Sequence, residues 1–175
     1  MADAPGHETH PSQVVRLAVA EFGADLVVDW YADLMTGRCL ATDPDRPPIG
    51  WAAGHTRWKP YWARTWGARG LLYVWDDRVG PDVVAALSDE HWRVREMAAK
   101  LVRRHEVGPA AEDVAELIDD PVERVRLAAI RALARVGEGE HFDALEHAVA
   151  DPNRRVSAAA SMALDELAGR LDRLA

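Results

Sequence analysis

One cysteine, Cys39, stands in 175 residues, so an internal disulfide is excluded and a reducing compartment, the cytoplasm, is the expected home. No apolar stretch approaches the roughly 18 residues that a membrane-spanning helix needs, and no membrane partner is expected. The amino-terminal MADAPGHETHPS has acidic residues and no apolar core, so it does not read as a secretory signal. Absent too are a phosphate loop, G-x-G-x-x-G, G-x-S-x-G, CxxC and HExxH. The histidines give no metal motif, because His141 and His147 are not i,i+4 and no further ligand is spaced to support them. His55, in Ala-Gly-His-Thr, lacks a nucleophile or base at a definite spacing and reads as a loop or capping residue. Cys39 beside Arg38 admits a lowered thiol pKa, though a loop thiol is usually incidental. The expectation is therefore no catalytic residue, no metal, no cofactor and no enzyme.

Charge is scarce in one sign and unevenly spread. The net charge is −8, which argues against general adhesion to nucleic acid. Residues 51–110 nevertheless carry ten basic and seven acidic side chains, while 1–50 and 111–175 are both acidic. A local anion site in the middle of the chain remains open.

What is present is a repeat. Displaced by 31 residues, the sequence meets itself: Asp89, Asp120 and Asp151 coincide, then Val94, Val125 and Val156, then Val102, Leu133 and Leu164. Each copy reads as a short helix, a turn at the Asp and a longer Ala-rich helix. One supersecondary unit per period of this length is the signature of a stacked solenoid. The inward positions of the long helices are Val94, Ala98, Leu101 and Val102, then Val125, Ala129, Ala132 and Leu133, then Val156, Ala160, Ala163 and Leu164. Small residues among larger ones allow close helix approach.

Before the repeats, residues 1–11 read as disordered and 12–58 as a helical pair followed by a wrapping loop. Ser12 is the expected N-cap of a first helix with Val14, Val15, Leu17, Ala18 and Phe22 at helical spacing. A second helix is expected from about Ala24 to Met35, burying Leu26, Val27, Trp30, Tyr31 and Leu34, with Gly37 just past its end. The Pro-rich stretch 37–50 is a loop by composition. Residues 51–75 hold five of the seven tryptophans, four basic residues and no acid, with Pro60 placed to open a helix. The expected boundaries of the repeats are about 59–80, 81–109, 110–140 and 141–171 within 59–175.

These residues resemble HEAT repeats, specifically the short bacterial type also seen in phycobilin-lyase-like proteins. The resemblance covers residues 60–171 and is weak over 1–58. It implies an all-α fold: a right-handed α-solenoid of stacked helical hairpins, a HEAT-like superhelix, with the N-terminal helical pair as a cap. It further implies a ladder between neighbouring units, built from an Asp in the turn and an Arg six positions later. Asp89 with Arg95 and Asp120 with Arg126 have that spacing; Ser157 and Trp58 break it in the last and first units. HEAT-like proteins include scaffolds, adaptors and a few enzymes, so the fold leaves function open.

Stacked at the period, one column reads Trp62, Arg93, Arg124, Arg155; a second Arg69, Lys100, Arg131, Met162; a third Tyr73, Arg104, Arg135, Glu166. Positions i, i+7 and i+11 share one stripe of a helix. Two readings stand side by side. The stripe is a solvated or ladder-paired flank, or it is a basic ridge in which Trp62, Arg69, Arg93, Lys100, Arg104, Arg124, Arg131 and Arg135 bind a partner. On the second reading the protein is a non-enzymatic scaffold for an acidic protein or peptide, since arginine receives carboxylates bidentately. The alternative is a DNA-binding or DNA-repair protein, similar to the HEAT-like alkylated-DNA glycosylases. It rests on Trp58, Trp62 and Trp66 beside the basic residues. The simpler account of those aromatics is packing, with Trp62, Trp66 and Tyr73 on one helix face.

Overall fold

The computed structural model describes residues 4, 9–52 and 59–173 of the chain, and among them every regular element is helical. The chain divides into two compact units, Met1–Ala86 and Leu87–Ala175. The expected disorder of residues 1–11 and the readings of His55 and Trp58 fall mostly or wholly outside the described residues.

In the first unit, α1 spans Pro11–Phe22, α2 Ala24–Thr36 and α3 Pro60–Gly70, and α4 (Gly80–Leu87) ends at the boundary. Pro11 occupies the first turn of α1, where its missing N–H costs nothing, and this moves the cap two residues back from the expected one. His10, rather than Ser12, is the N-cap: its Nδ1 accepts from the Ser12 N–H at 3.3 Å. Gly37 ends α2 in the left-handed region at φ 75°, as its position predicted. Val14, Val15 and Ala18 of α1 and Val27, Trp30, Tyr31 and Leu34 of α2 are buried. Leu17 and Leu26, expected inside, are each 43% exposed, because the inward stripe of each helix is narrower than its apolar content. The loop after α2 is strapped down: Arg38 holds Asp33 at 2.7 Å and both Asp82 oxygens at 2.5 and 2.9 Å, while Arg46 takes the other Asp33 oxygen. It ends in a 3-10 turn, Ile49–Ala52.

Helices α2 and α3 of this unit meet through glycine. A Cβ at Gly67 would lie 2.5 Å from the Tyr31 carbonyl oxygen and 2.8 Å from the Leu34 Cβ, and one at Gly70 would enter the Tyr31 ring. Only hydrogen fits at either point, so α3 presses its backbone onto α2. Trp66 is buried, and Trp62, half-buried, stacks on it with ring centroids 6.0 Å apart. Tyr73 does not share their helix face: α3 stops at Gly70, and Tyr73 is 44% exposed beyond it.

In the second unit the long helices α5 (Trp92–His105), α7 (Glu123–Val136) and α9 (Arg154–Asp172) begin at steps of 31 residues. Between them lie the short helices α6 (Ala111–Glu116) and α8 (Phe142–Val149). Helix α7 packs against both α5 and α9. All the predicted inward positions are buried except Leu164 of the last helix, which is half-buried. The alanines at 98, 129 and 160 are each 0% exposed, so the register of the repeat is the register of the packing.

Candidate functional site: a basic cavity on the repeat helices

Each turn aspartate of the second unit first organises its own turn. Asp89, Asp120 and Asp151 accept the backbone N–H two residues on, at 2.7, 2.8 and 2.7 Å. The arginine six positions later then joins successive turns. Arg95 donates to the Asp89 carbonyl at 2.9 Å and to the Asp120 carboxylate at 2.7 Å. Arg126 does the same to the Asp120 carbonyl at 2.9 Å and to the Asp151 carboxylate at 2.7 Å. Each guanidinium thus bonds its own turn through the backbone and the next turn through the side chain. Arg126 holds the Asp151 carboxyl below the usual carboxylate range. These two arginines are spent on structure.

The stripe beside the ladder faces a cavity of about 480 Å³ bounded by α5, α7 and the start of α9. Its floor is Leu127 and Ala128, both buried, and the buried carboxylate Glu96. Five cations surround it, Lys100, Arg103, Arg124, Arg131 and Arg155, against two carboxylates, Glu96 and Glu123. Glu96 is 6% exposed and would be costly as a lone buried charge. It is satisfied by Lys100 at 2.7 Å from its own helix and by Arg124 at 3.0 Å from the next. Arg155 stands 3.9 Å from Glu123. Among the described residues no carboxylate pairs with Arg103 or Arg131, both exposed. The cavity therefore carries a net formal charge of +3, five cations less two carboxylates, on a chain of net −8.

A family model for HEAT repeats matches residues 80–165. Those residues are HEAT repeats. The chain also superposes on solved structures. It matches the complex of CpcE and CpcF of phycocyanin lyase from Nostoc sp. PCC7120 with a TM-score of 0.61 at 19% identity, covering 95% of this chain and 68% of that one. An engineered protein matches with a TM-score of 0.55 at 18% identity, over 91% of this chain and 68% of its own. At such identities the likeness shows the fold, an α-solenoid. No curated protein matches the chain.

Within the HEAT repeats the predicted basic residues separate into groups. Lys100, Arg124 and Arg131 line the cavity. Arg93 lies over the Trp92 ring at 4.3 Å, with Arg124 5.4 Å from the same ring. Arg135 is drawn between Glu106 of the preceding repeat and Glu166 of the following one, the latter at 3.6 Å. Arg104 is exposed outside the cavity. In the first unit Arg69 is half-buried near Tyr31 and Tyr73, and burial lowers its pKa. Trp62 stacks as described above. The column pattern missed Arg103, Glu96 and Glu123, although Glu96, Lys100 and Arg103 share a stripe at i, i+4 and i+7.

Two other groups fall short of a reactive site. Burial, the main cause, pushes the Cys39 thiol up to about 11, so the lowered pKa expected from its Arg38 neighbour is not found. His141, set aside on spacing for want of a further ligand, is brought by the fold within 4.8 Å of Glu112 and Glu140 ligand atoms. Its Nδ1 accepts the Glu138 backbone N–H at 2.9 Å, so in the neutral ring the proton sits on Nε2. The buried Nε2–H stands 3.5 Å from a Glu112 oxygen without a hydrogen-bond partner, and a protonated ring nitrogen offers no lone pair to a metal.

Proposed function

We propose that the protein is a non-enzymatic HEAT-repeat scaffold whose long helices present a basic ridge to an acidic protein or peptide. The ridge comprises Arg93, Lys100, Arg104, Arg124, Arg131 and Arg135, with the cavity at its centre. The observation that carries this reading is the charge inversion: a concave surface of net +3 on a strongly acidic chain. Electrostatic complementarity of this kind steers and selects partners more than it adds raw affinity. We place the protein in the cytoplasm, on the strength of its single, buried thiol.

The DNA-binding alternative has less support. Trp66 is buried, Trp62 is half-buried and stacked on it, and Arg93 lies over Trp92, so each of these rings is already engaged within the fold. The test is capture on an immobilised polyglutamate surface at low salt. Binding is expected from the wild type and lost in the Lys100→Glu, Arg131→Glu double variant. A wild type that ignores the surface would refute the scaffold reading.

A further inference from the structure

The cations of the cavity are not equivalent, and the difference says what the cavity takes. Lys100 and Arg124 already share a carboxylate, the buried Glu96. Arg103 and Arg131 have no carboxylate partner among the described residues, and Arg155 has only Glu123 at 3.9 Å. The lining is thus a half-filled arrangement: one carboxylate built in, three guanidinium groups left over.

We infer that the cavity receives a short extended acidic peptide segment. Its carboxylates are taken by Arg103 and Arg131 at one end and Arg155 at the other, and Glu96 acts as an internal competitor that sets the affinity. This rests on the scaffold reading and narrows it to three residues, of which Arg103 alone lies outside the repeat columns.

Three features select an acidic peptide. Arg155 lies one period on from Arg124, seven positions before Arg131 on α7. Seven residues of helix rise by roughly 10 Å, and with the step of roughly 8–10 Å to the neighbouring helix the diagonal is about 13 Å, the reach of about four residues in an extended strand. Carboxylates four residues apart on such a strand point the same way and fit both ends. Second, the floor between the ends is aliphatic, Leu127 and Ala128, and accepts the methylenes of acidic side chains or an intervening apolar residue. Third, Glu96 and Glu123 stand inside the cavity. A nucleic-acid strand presents a charge at every phosphate and would set some of them against these carboxylates, whereas a peptide places its charges discontinuously.

Glu96 gives the proposal its sharpest consequence. Replacing it with glutamine keeps the shape and a hydrogen-bond acceptor, removes one negative charge and loosens Lys100 and Arg124. Affinity for an anionic segment should rise.

The experiment is fluorescence anisotropy with a labelled oligoglutamate peptide on the full chain. A single-stranded oligonucleotide and inorganic phosphate serve as competitors, and thermal melts confirm that each variant folds. Arg103→Ala with Arg131→Ala is expected to weaken peptide binding about thirtyfold, from the loss of two charge-assisted contacts. Glu96→Gln is expected to tighten it about fivefold, the order expected from removing one nearby charge at partial exposure. Arg173→Ala, an exposed arginine outside the cavity, removes the same charge and should change it less than twofold. If the peptide binds but the double variant binds equally well, or Glu96→Gln weakens binding, the assignment is overturned and the scaffold reading stands. If the peptide does not bind, both fall. If the oligonucleotide displaces the peptide at lower concentration than unlabelled oligoglutamate does, the cavity is a nucleic-acid site. If phosphate alone competes as well as the peptide, the cavity is a small-anion site.

Discussion

In the first unit α3 reaches α2 through Gly67, fitted against Tyr31, Leu34 and Met35, and through Gly70, fitted against the Tyr31 ring. In the second unit α5, α7 and α9 each bury an alanine, Ala98, Ala129 and Ala160, at the same position in three copies. The first solution is individual: large rings, two glycines, and a loop strapped by Arg38 and Arg46. The second is periodic, so any residue type repeated at the period becomes a row. The contrast explains why the basic cavity lies where it does. A ladder of Arg95 and Arg126 fixes the turns, and the neighbouring stripe inherits the same alignment without having to pack.

The largest test of that contrast is to break a rung. Arg126→Ala leaves the Asp120 carbonyl and the Asp151 carboxylate without their donor, in a pair whose side chains are 16% and 9% exposed. A loss of about 3 kcal/mol is expected. It should be seen by hydrogen exchange as lost protection in α7 and α9, with α2 and α3 unchanged. The sign of its pH dependence follows from Asp151, whose folded pKa is lowered. The stabilisation is present above the usual carboxylate pKa near 4 and disappears as pH falls through the depressed folded value. Urea midpoints of wild type and Arg126→Ala should therefore converge in acid.

Next in size is Gly67→Ala. The added methyl would meet the Tyr31 carbonyl oxygen, which cannot swing aside as a flexible side chain would. A loss of about 2 kcal/mol is expected, with exchange accelerating in α2 and α3. A neutral result would mean that the two helices are not locked through their glycines.

The smallest expected effect is a gain. Glu106 ends α5 in the left-handed region at φ 53°, where a side chain is strained and glycine is not. Glu106→Gly should stabilise the second unit by about 0.5 kcal/mol in thermal melts, the relief of strain outweighing an exposed contact with Arg135. Destabilisation would show that the Glu106–Arg135–Glu166 row contributes more than an exposed pair normally does.

The periodic half was open to a reading from sequence down to its contacts; in the individual half the helices α1 and α2 and most of their buried residues were legible, and the fit of Gly67 and Gly70 onto α2 was not. A 31-residue step in Asp and Val is a one-dimensional signal, and packing preserved it: Ala98, Ala129 and Ala160 are all fully buried. The ladder was legible as a spacing. That each Arg reaches forward 25 residues to the next Asp is geometry. Glu96 escaped notice because Arg124 finds it 28 residues back, off the period. Leu17 and Leu26 misled for the opposite reason: apolar residues at helical spacing still face solvent when they lie off the stripe that the fold buries. His10 took the cap from Ser12 because Pro11 fixes where the helix begins, a constraint of one residue with no periodicity to reveal it.

The central claim is that the repeat brings uncommitted arginines together while spending others on the ladder. Side-chain Nε–Hε resonances of the arginines, followed by NMR as oligoglutamate is added to the full chain, test it residue by residue. The account predicts shifts at Arg103, Arg131 and Arg155, with Arg95 and Arg126 unmoved. Shifts at Arg95 and Arg126, or none at the first three, would contradict it.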